Sequence, residues 1–302
     1  MTAIAKSKAS SVETGSSMPE NKPGATIVPL PFKAKADTGE LLRRARQVAA
    51  VLLPPLVMVM AMMFIWELAA PEYGGLPRPS MVWMESKGLI LDPFYDRGGV
   101  DKGLGLHVLT SLSRVAIGYG AAALAGIALG VLVGQSITAH RGLDPIFQVL
   151  RTVPPLAWLP ISLAIFQQAQ PSALFVIFIT SIWPILINTA VGIRNIPQDY
   201  RNVASVLRLS PYRLFTLIML PAATPYIFTG LRIGIGMAWL AIVASEMLLG
   251  GVGVGFFIWD QYNSGRISDI VVALGWVGLV GFALDRLVAG LGRLVSRGVS
   301  AA

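Results

Sequence analysis

Apolar residues in this chain neither alternate with polar ones at a period of two nor return once per helical turn; they run on. Runs of roughly 20 predominantly apolar residues are long enough to cross the hydrocarbon core of a bilayer as helices. Such runs extend from Val48 to Ala70, about Leu109 to Gly134, Pro145 to Phe166, Ser172 to Gly192, Ala222 to Leu249 and Ile270 to Leu291. Lipid offers no partner to a backbone N–H or C=O, and a helix satisfies both within one segment. The pattern therefore predicts an all-α membrane protein of about six transmembrane helices.

Three stretches depart from it. Residues 1–45 are rich in Ser, Lys, Pro and Gly, and their one apolar stretch, Ala25 to Phe32, is interrupted by Pro29 and Pro31. They carry no secretory leader and read as a solvated, disordered tail. Residues 46–292 then form the expected membrane domain, and 293–302 a second tail. Inside the membrane domain, Asn195 to Pro225 is amphipathic with helical periodicity. Val203, Val206, Leu207, Leu214, Phe215, Leu217 and Ile218 fall on apolar faces, with Arg201, Arg208 and Arg213 exposed. Ser210-Pro211 is an N-cap followed by a first-turn proline. Two short helices should meet there at a tight turn, and the chain should re-enter the membrane after Leu220-Pro221. A helix resting on lipid would explain the amphipathicity but not the turn; a surface pressed against a soluble partner explains both.

Composition agrees with lipid as the solvent. Of 302 residues, 54% are hydrophobic and 13% charged, about half the charged share of an ordinary soluble domain, and the mean hydropathy is +0.66. Cys is 0 and His is 2, so a disulfide framework and a thiolate metal site are excluded. No trio of nucleophile, base and orienting group stands out. The chain is expected to be a non-enzyme with no cofactor.

The net charge of +8 would suit nucleic acid, but its placement argues otherwise. With the N-terminus inside, the inner segments hold the Lys and Arg of the tail through Arg46, Arg141, the arginines from Arg194 to Arg232, and Arg286, Arg293 and Arg297. The outer segments hold only Arg78, Lys87, Arg97, Lys102 and Arg266, while Arg114 and Arg151 fall inside spans. By the positive-inside rule both termini are cytoplasmic, and no nucleic-acid partner is needed to explain the basic balance.

Gly118, Ala122, Gly126, Gly130 and Gly134 recur every four positions, and Gly230, Gly234 and Ala238 repeat the device. Small-residue stripes let helix backbones approach closely in lipid; packing within the chain, a dimer seam and a pore-lining face are all open readings. Pro154, Pro155 and Pro160 lie in one span around Trp158, and Pro184 interrupts the next. Each frees a carbonyl that protein or a water-filled cavity must satisfy, so these positions mark either kinks or a substrate path.

The segment Asn195 to Pro225 resembles the EAA loop of binding-protein-dependent ABC importer permeases: Glu-Ala-Ala, three residues, Gly, nine residues, Ile, one residue, Leu-Pro. Counted back from Leu220 and Pro221, Ile218 fits, Arg208 holds the Gly position, and Asn202, Val203 and Ala204 hold the Glu-Ala-Ala positions. The spacing is kept while the first residue and the Gly depart. The run from Leu150 to Ile161, LRTVPPLAWLPI, resembles the proline-rich span of the nitrate, sulfonate and taurine permease family. The runs from Leu76 to Val82, Asp92 to Gly105 and Tyr226 to Asp260 resemble its nitrate branch. The resemblance covers roughly residues 48–292.

It implies a type I ABC importer permease (MetI-like) fold in a bacterial inner membrane. It also implies a second permease chain, ATP-binding subunits docked on the loop at about 195–221, and a periplasmic or lipid-anchored solute-binding protein. No Gly-rich phosphate loop followed by Lys-Ser or Lys-Thr occurs, so ATP hydrolysis belongs to partners. Nitrate is the implied cargo, with nitrite, bicarbonate, cyanate and sulfonates as alternatives. A secondary transporter would need an inverted repeat, and none is visible.

Charges inside spans each need a reason, since an ionisable side chain at mid-span costs about 2.5–3.5 kcal/mol. Arg151 and Arg232 either line an anion path or snorkel and pair structurally. Glu246 repels anions and is expected to pair with Arg114 or another donor. Asp285 and Arg286 are expected at the interface. Arg151, Pro155, Trp158, Arg232, Trp239 and Glu246 are the candidates for the translocation path.

Overall fold

The computed structural model describes residues 38–70 and 75–300, apart from the side chains of 38–42, 44, 45, 48, 51, 52, 201 and 297–300. The expected disordered tail lies outside the described residues up to position 37, as do the last two residues. Within the described residues the first helix is α1, from Thr38, and the last helix reaches Ser300.

The chain divides into two units, residues 1–60 and 61–302. In the first, α1 (Thr38–Ala69) carries Pro54 and Pro55 within its length and exposes Leu53 and the apolar side chains of 56–60. The second unit holds the end of α1 and then α2 (Pro79–Glu85), α3 (Lys87–Leu91), α4 (Leu104–Gln135), α5 (Ile137–Leu150), α6 (Trp158–Phe166), α7 (Ala169–Arg194), α8 (Gln198–Val206), α9 (Pro211–Leu214), α10 (Leu220–Leu249), α11 (Val254–Asn263) and α12 (Ile267–Ser300).

Its core is three mutually packed helices, α4, α7 and α10, with α7 the one most extensively in contact with the other two. The stripe on α4 lies against α7, where a Cβ at Gly118, Gly126, Gly130 or Gly134 would come within 2.6–3.0 Å of Ile177, Ile185, Thr189 or Ile193. On an adjoining face of α7, a Cβ at Gly230 would meet the Pro184 carbonyl at 2.8 Å and one at Gly234 would meet Ile185 at 3.0 Å. The stripes thus serve packing within the chain, the closest approach that side-chain-free positions permit. Over its apolar window α7 is 56% buried, more than any other span.

Among the described residues, four helices are long and apolar enough to cross a membrane, or up to five if the pair α5 and α6 counts as one, and Leu53–Ala69 is a shorter apolar helix. The expected third span is therefore a correction: it is broken, with α5 and α6 bent by 91°. Pro154 and Pro155 supply no N–H, and a proline drives the residue before it out of the helical region. Pro154 is extended (ψ 140°), and a 3₁₀ turn, Pro155–Ala157, restarts the chain in a new direction.

At Leu220-Pro221 the helix is continuous: from Pro211 to Leu249 the chain runs as one 39-residue helical stretch. A π-helical turn, Phe215–Met219, joins α9 to α10, with the Leu220 N–H reaching back to the Phe215 carbonyl. The wider turn shifts the hydrogen-bond register where Pro221 has no N–H to give.

Candidate functional site

Three constellations carry the residues singled out by the sequence. The first is the turn between α8 and α9. The Leu209 N–H bonds the Ala204 carbonyl (3.1 Å) and the Arg208 N–H bonds the Ser205 carbonyl (3.1 Å). This is the pattern of a helix closed by a left-handed residue, and Arg208 holds that position at φ 48°. A non-glycine residue there costs about 1 kcal/mol. Ser210 then caps α9, its Oγ accepting from the Arg213 N–H at 3.4 Å. Ala204 is buried (5% exposed), whereas Val206 (82%) and Leu207 (63%) project outward, as do Asn202, Val203 and Arg208. Ala204, Arg208 and Ile218 line a cavity of about 600 Å³ beneath the turn. Leu220 is exposed and Pro221 half-buried.

The second is a buried ionic clasp. His107, Ser111 and Arg114 follow at intervals of four and three on α4, hence on one helix face. Arg114 Nη1 donates to Glu246 Oε1 at 2.6 Å, and Ser111 Oγ donates to Glu246 Oε2 at 2.7 Å. Glu246 is 1% exposed. The glycine-rich loop after α10 folds over this face. The Gly253 N–H meets His107 Nδ1 (3.0 Å), the Val254 N–H meets Ser111 Oγ (3.0 Å), and the Gly255 N–H meets Glu246 Oε2 (3.1 Å). Arg114 also donates to the Val252 carbonyl at 2.8 Å. Gly250 (φ 75°) and Gly251 (φ 87°) make the turn. Any side chain at Gly255 would collide with the Val243 carbonyl and Glu246. The glycines in GGVGVG are thus needed by this wrap. At the same end of the unit, the Lys102 ammonium and the Gly98 N–H hold the Asp96 carboxyl below its ordinary value. That contribution to the turn is present at neutral pH and is lost as pH falls through the lowered value.

The third is a cavity of about 290 Å³ between α7, α10 and the bend, lined by Arg151, Thr152, Thr180, Trp183, Pro184, Ile187, Asn188, Ile233 and Met237. Arg151 sits at the end of α5, exposed and without an ion-pair partner among the described residues. Pro155 opens the 3₁₀ turn, and the Trp158 and Phe175 rings pack in a T-shaped pair with centroids 6.4 Å apart. The other candidates lie elsewhere. Arg232 is bidentate to Asp285 on α12 (2.5 and 2.7 Å), which realises structural pairing for it. Trp239 is buried and donates Nε1–H to the Val277 carbonyl (3.0 Å). The sequence reading missed Thr180, Trp183 and Asn188, although Pro184 marked their turn of helix, and it missed Asp285 as the partner of Arg232.

A family model described as "Binding-protein-dependent transport system inner membrane component" matches residues 122–300. The chain belongs to this family of importer permeases. It is 60% identical to the nitrate import permease protein NrtB of Synechocystis sp. over 80% of this chain and 88% of that one. It is 53% identical to the bicarbonate transport system permease protein CmpB of the same organism, over 82% and 90%, and 32% identical to the taurine transport system permease protein TauC of Escherichia coli, over 72% and 78%. Among solved structures, a chain of the MetNI methionine ABC transporter in inward-facing conformations superimposes with a TM-score of 0.53 at 17% identity, covering 71% of this chain and 97% of that one. The permease therefore has the all-helical fold of MetI-type importer subunits and is a multi-helix component of the inner membrane. Membership of a binding-protein-dependent importer family implies ATPase and solute-binding partners.

In the permease, Arg208 stands where the loop pattern has glycine, and the backbone keeps the left-handed conformation that a glycine would adopt freely. The clasp gives a direct stability expectation. Glu246→Ala strands the Arg114 guanidinium and is expected to cost about 3–5 kcal/mol. Arg114→Ala with Glu246→Ala is expected to cost less than the two single changes added, by about 0.5–3 kcal/mol. Thermal unfolding of the purified permease in detergent checks this; strict additivity would show that the two side chains are not coupled.

Proposed function

We propose that this chain is the membrane-spanning subunit of an ATP-driven nitrate importer, in which two copies form the translocation pathway. The observation that carries the reading is the 60% identity to a nitrate import permease over 80% of the chain. Bicarbonate is the second reading, favoured by the 53% identity to a bicarbonate permease. The two ions are both planar, triangular and singly charged, so one pathway chemistry suits either. Specificity then rests on the external binding protein, while the pathway binds weakly enough to release.

In this reading both termini are cytoplasmic, and the α8–α9 turn faces the cytoplasm and sits in a groove of an ATPase subunit. Asn202, Val203 and Arg208, together with Val206 and Leu207, form the contact face. Ala204, Ile218, Leu220 and Pro221 support it from within or behind. The exposed apolar side chains at Val206 and Leu207 favour a protein partner there. Because the turn is continuous with α10 through the π turn, closure of the ATPases is passed to the core as a rigid displacement. Of the path candidates, Arg151 faces the translocation cavity beside the bend formed by Pro155 and Trp158. Arg232, Trp239 and Glu246 hold the surrounding helices in place.

Two tests follow. Val206→Asp is expected to cut co-purification of the ATPase subunits at least tenfold while the permease still inserts; undiminished co-purification would move the contact elsewhere. A host lacking this chain is expected to grow normally on ammonium but not on micromolar nitrate as sole nitrogen source, with growth restored by the wild-type chain. Normal growth on nitrate with a defect only at limiting bicarbonate would transfer the assignment to the second reading.

A further inference from the structure

Two residues that line the cavity beside the bend carry buried donors without acceptors among the described residues. On α7 the buried hydroxyls of Ser172, Ser181 and Thr189 each donate to a carbonyl one turn back, at 2.7, 2.6 and 2.7 Å. Thr180, only 6% exposed, does not; its Oγ1 is buried with no partner among the described residues. One turn on, the indole N–H of Trp183 is likewise buried and unpartnered, whereas that of Trp239 finds a carbonyl. An indole N–H can only donate. Both residues line the cavity, and so does the unpaired guanidinium of Arg151. Among the described residues no Asp or Glu lines it, and Ile187, Ile233 and Met237 make the rest of the wall largely apolar. Buried donors left empty are costly, and such groups in native proteins mark a water, ion or ligand.

We propose that Arg151, Thr180 and Trp183 form an oxyanion-binding station near the middle of α7, where the transported anion pauses. The proposal rests on the anion-import reading and gives it a place. A cation supplies attraction, and two neutral donors one turn apart on the same helix supply direction. Pro184 removes the N–H that would bond the Thr180 carbonyl, and the Asn188 amide donates to the Pro184 carbonyl at 2.7 Å. Broken or proline-distorted helices at mid-membrane are where transporters place their substrates. A single guanidinium on the exposed bend holds an anion loosely, as release demands. The phosphate of a lipid headgroup offers the same chemistry, and the test separates the two sources.

The experiment uses the full complex of permease, ATPases and binding protein in liposomes, following uptake of ¹⁵N-nitrate. Arg151→Gln is expected to lower uptake at least tenfold, Thr180→Val and Trp183→Phe threefold to tenfold each, and Arg151→Lys less than Arg151→Gln. Thr189→Val, the same change at a hydroxyl already bonded within its helix, should stay within twofold. Co-purification with the ATPases serves as the folding control; should Arg151→Gln fail it, the two near-isosteric changes carry the test. Variants that import like the wild type overturn the station and leave nitrate import standing. If the wild type imports bicarbonate instead, and the variants lose that uptake, nitrate falls and the station stands. A wild-type rate that follows headgroup charge, in anionic against phosphatidylcholine vesicles, and variants that lose this dependence while importing normally in phosphatidylcholine, would assign the donors to lipid and overturn the proposal.

Discussion

Everything in residues 61–302 is arranged around the closeness of three helix backbones. In lipid there is little hydrophobic gain from bringing two apolar helices together, so association depends on van der Waals packing over short distances. Glycines on α4 and α10 remove the side chains that would hold α7 away, and Ile177, Ile185, Thr189 and Ile193 fill the resulting grooves. A single methyl group in these seams would meet atoms at 2.6–3.0 Å. The consequence is a helix fixed on both flanks, with side chains outside the two seams free to face a cavity.

Two polar devices extend that rigidity. At one end the Arg114–Glu246 clasp joins α4 to α10, and the GGVGVG loop is wrapped on it by backbone N–H groups. A charge pair this deeply buried is tolerable because Ser111 and Gly255 satisfy the remaining carboxylate capacity. On the lateral side, Arg232 and Asp285 tie α10 to α12. At the opposite end the amphipathic turn grows straight into α10 without a joint. On the proposed reading a push on that turn displaces the three-helix core as a body, while the bend at Pro154-Pro155, which lies outside it, can move against it.

What the sequence disclosed follows from how local each signal is. Long apolar runs, the stripe of small residues and the Ser210-Pro211 cap depend on nearest neighbours along one helix, and all of these were legible. The pairing of Glu246 with Arg114 was also legible, because a buried charge of each sign in a membrane segment demands a partner. The break in the third span was half visible: its prolines were plain, but whether a Pro-Pro pair kinks a span or turns it by 91° depends on what packs at the bend. The π turn left no mark in the sequence, since Pro221 reads equally well as a helix start. Thr180 and Trp183 were hidden for a different reason. A hydroxyl and an indole in an apolar helix are ordinary until the structure shows that their hydrogens go nowhere. Arg208 illustrates the reverse, a residue type that departs from the loop pattern while its backbone conformation does not.

The central claim is that this permease couples ATP hydrolysis in partner subunits to the passage of nitrate. The most direct measurement is ATP hydrolysis by the complete complex in liposomes with its binding protein, adding nitrate, nitrite, bicarbonate or a sulfonate one at a time. The account predicts that nitrate raises the rate several-fold above the anion-free level and above each of the others. Stimulation by a different anion alone, with nitrate at the anion-free level, would contradict it.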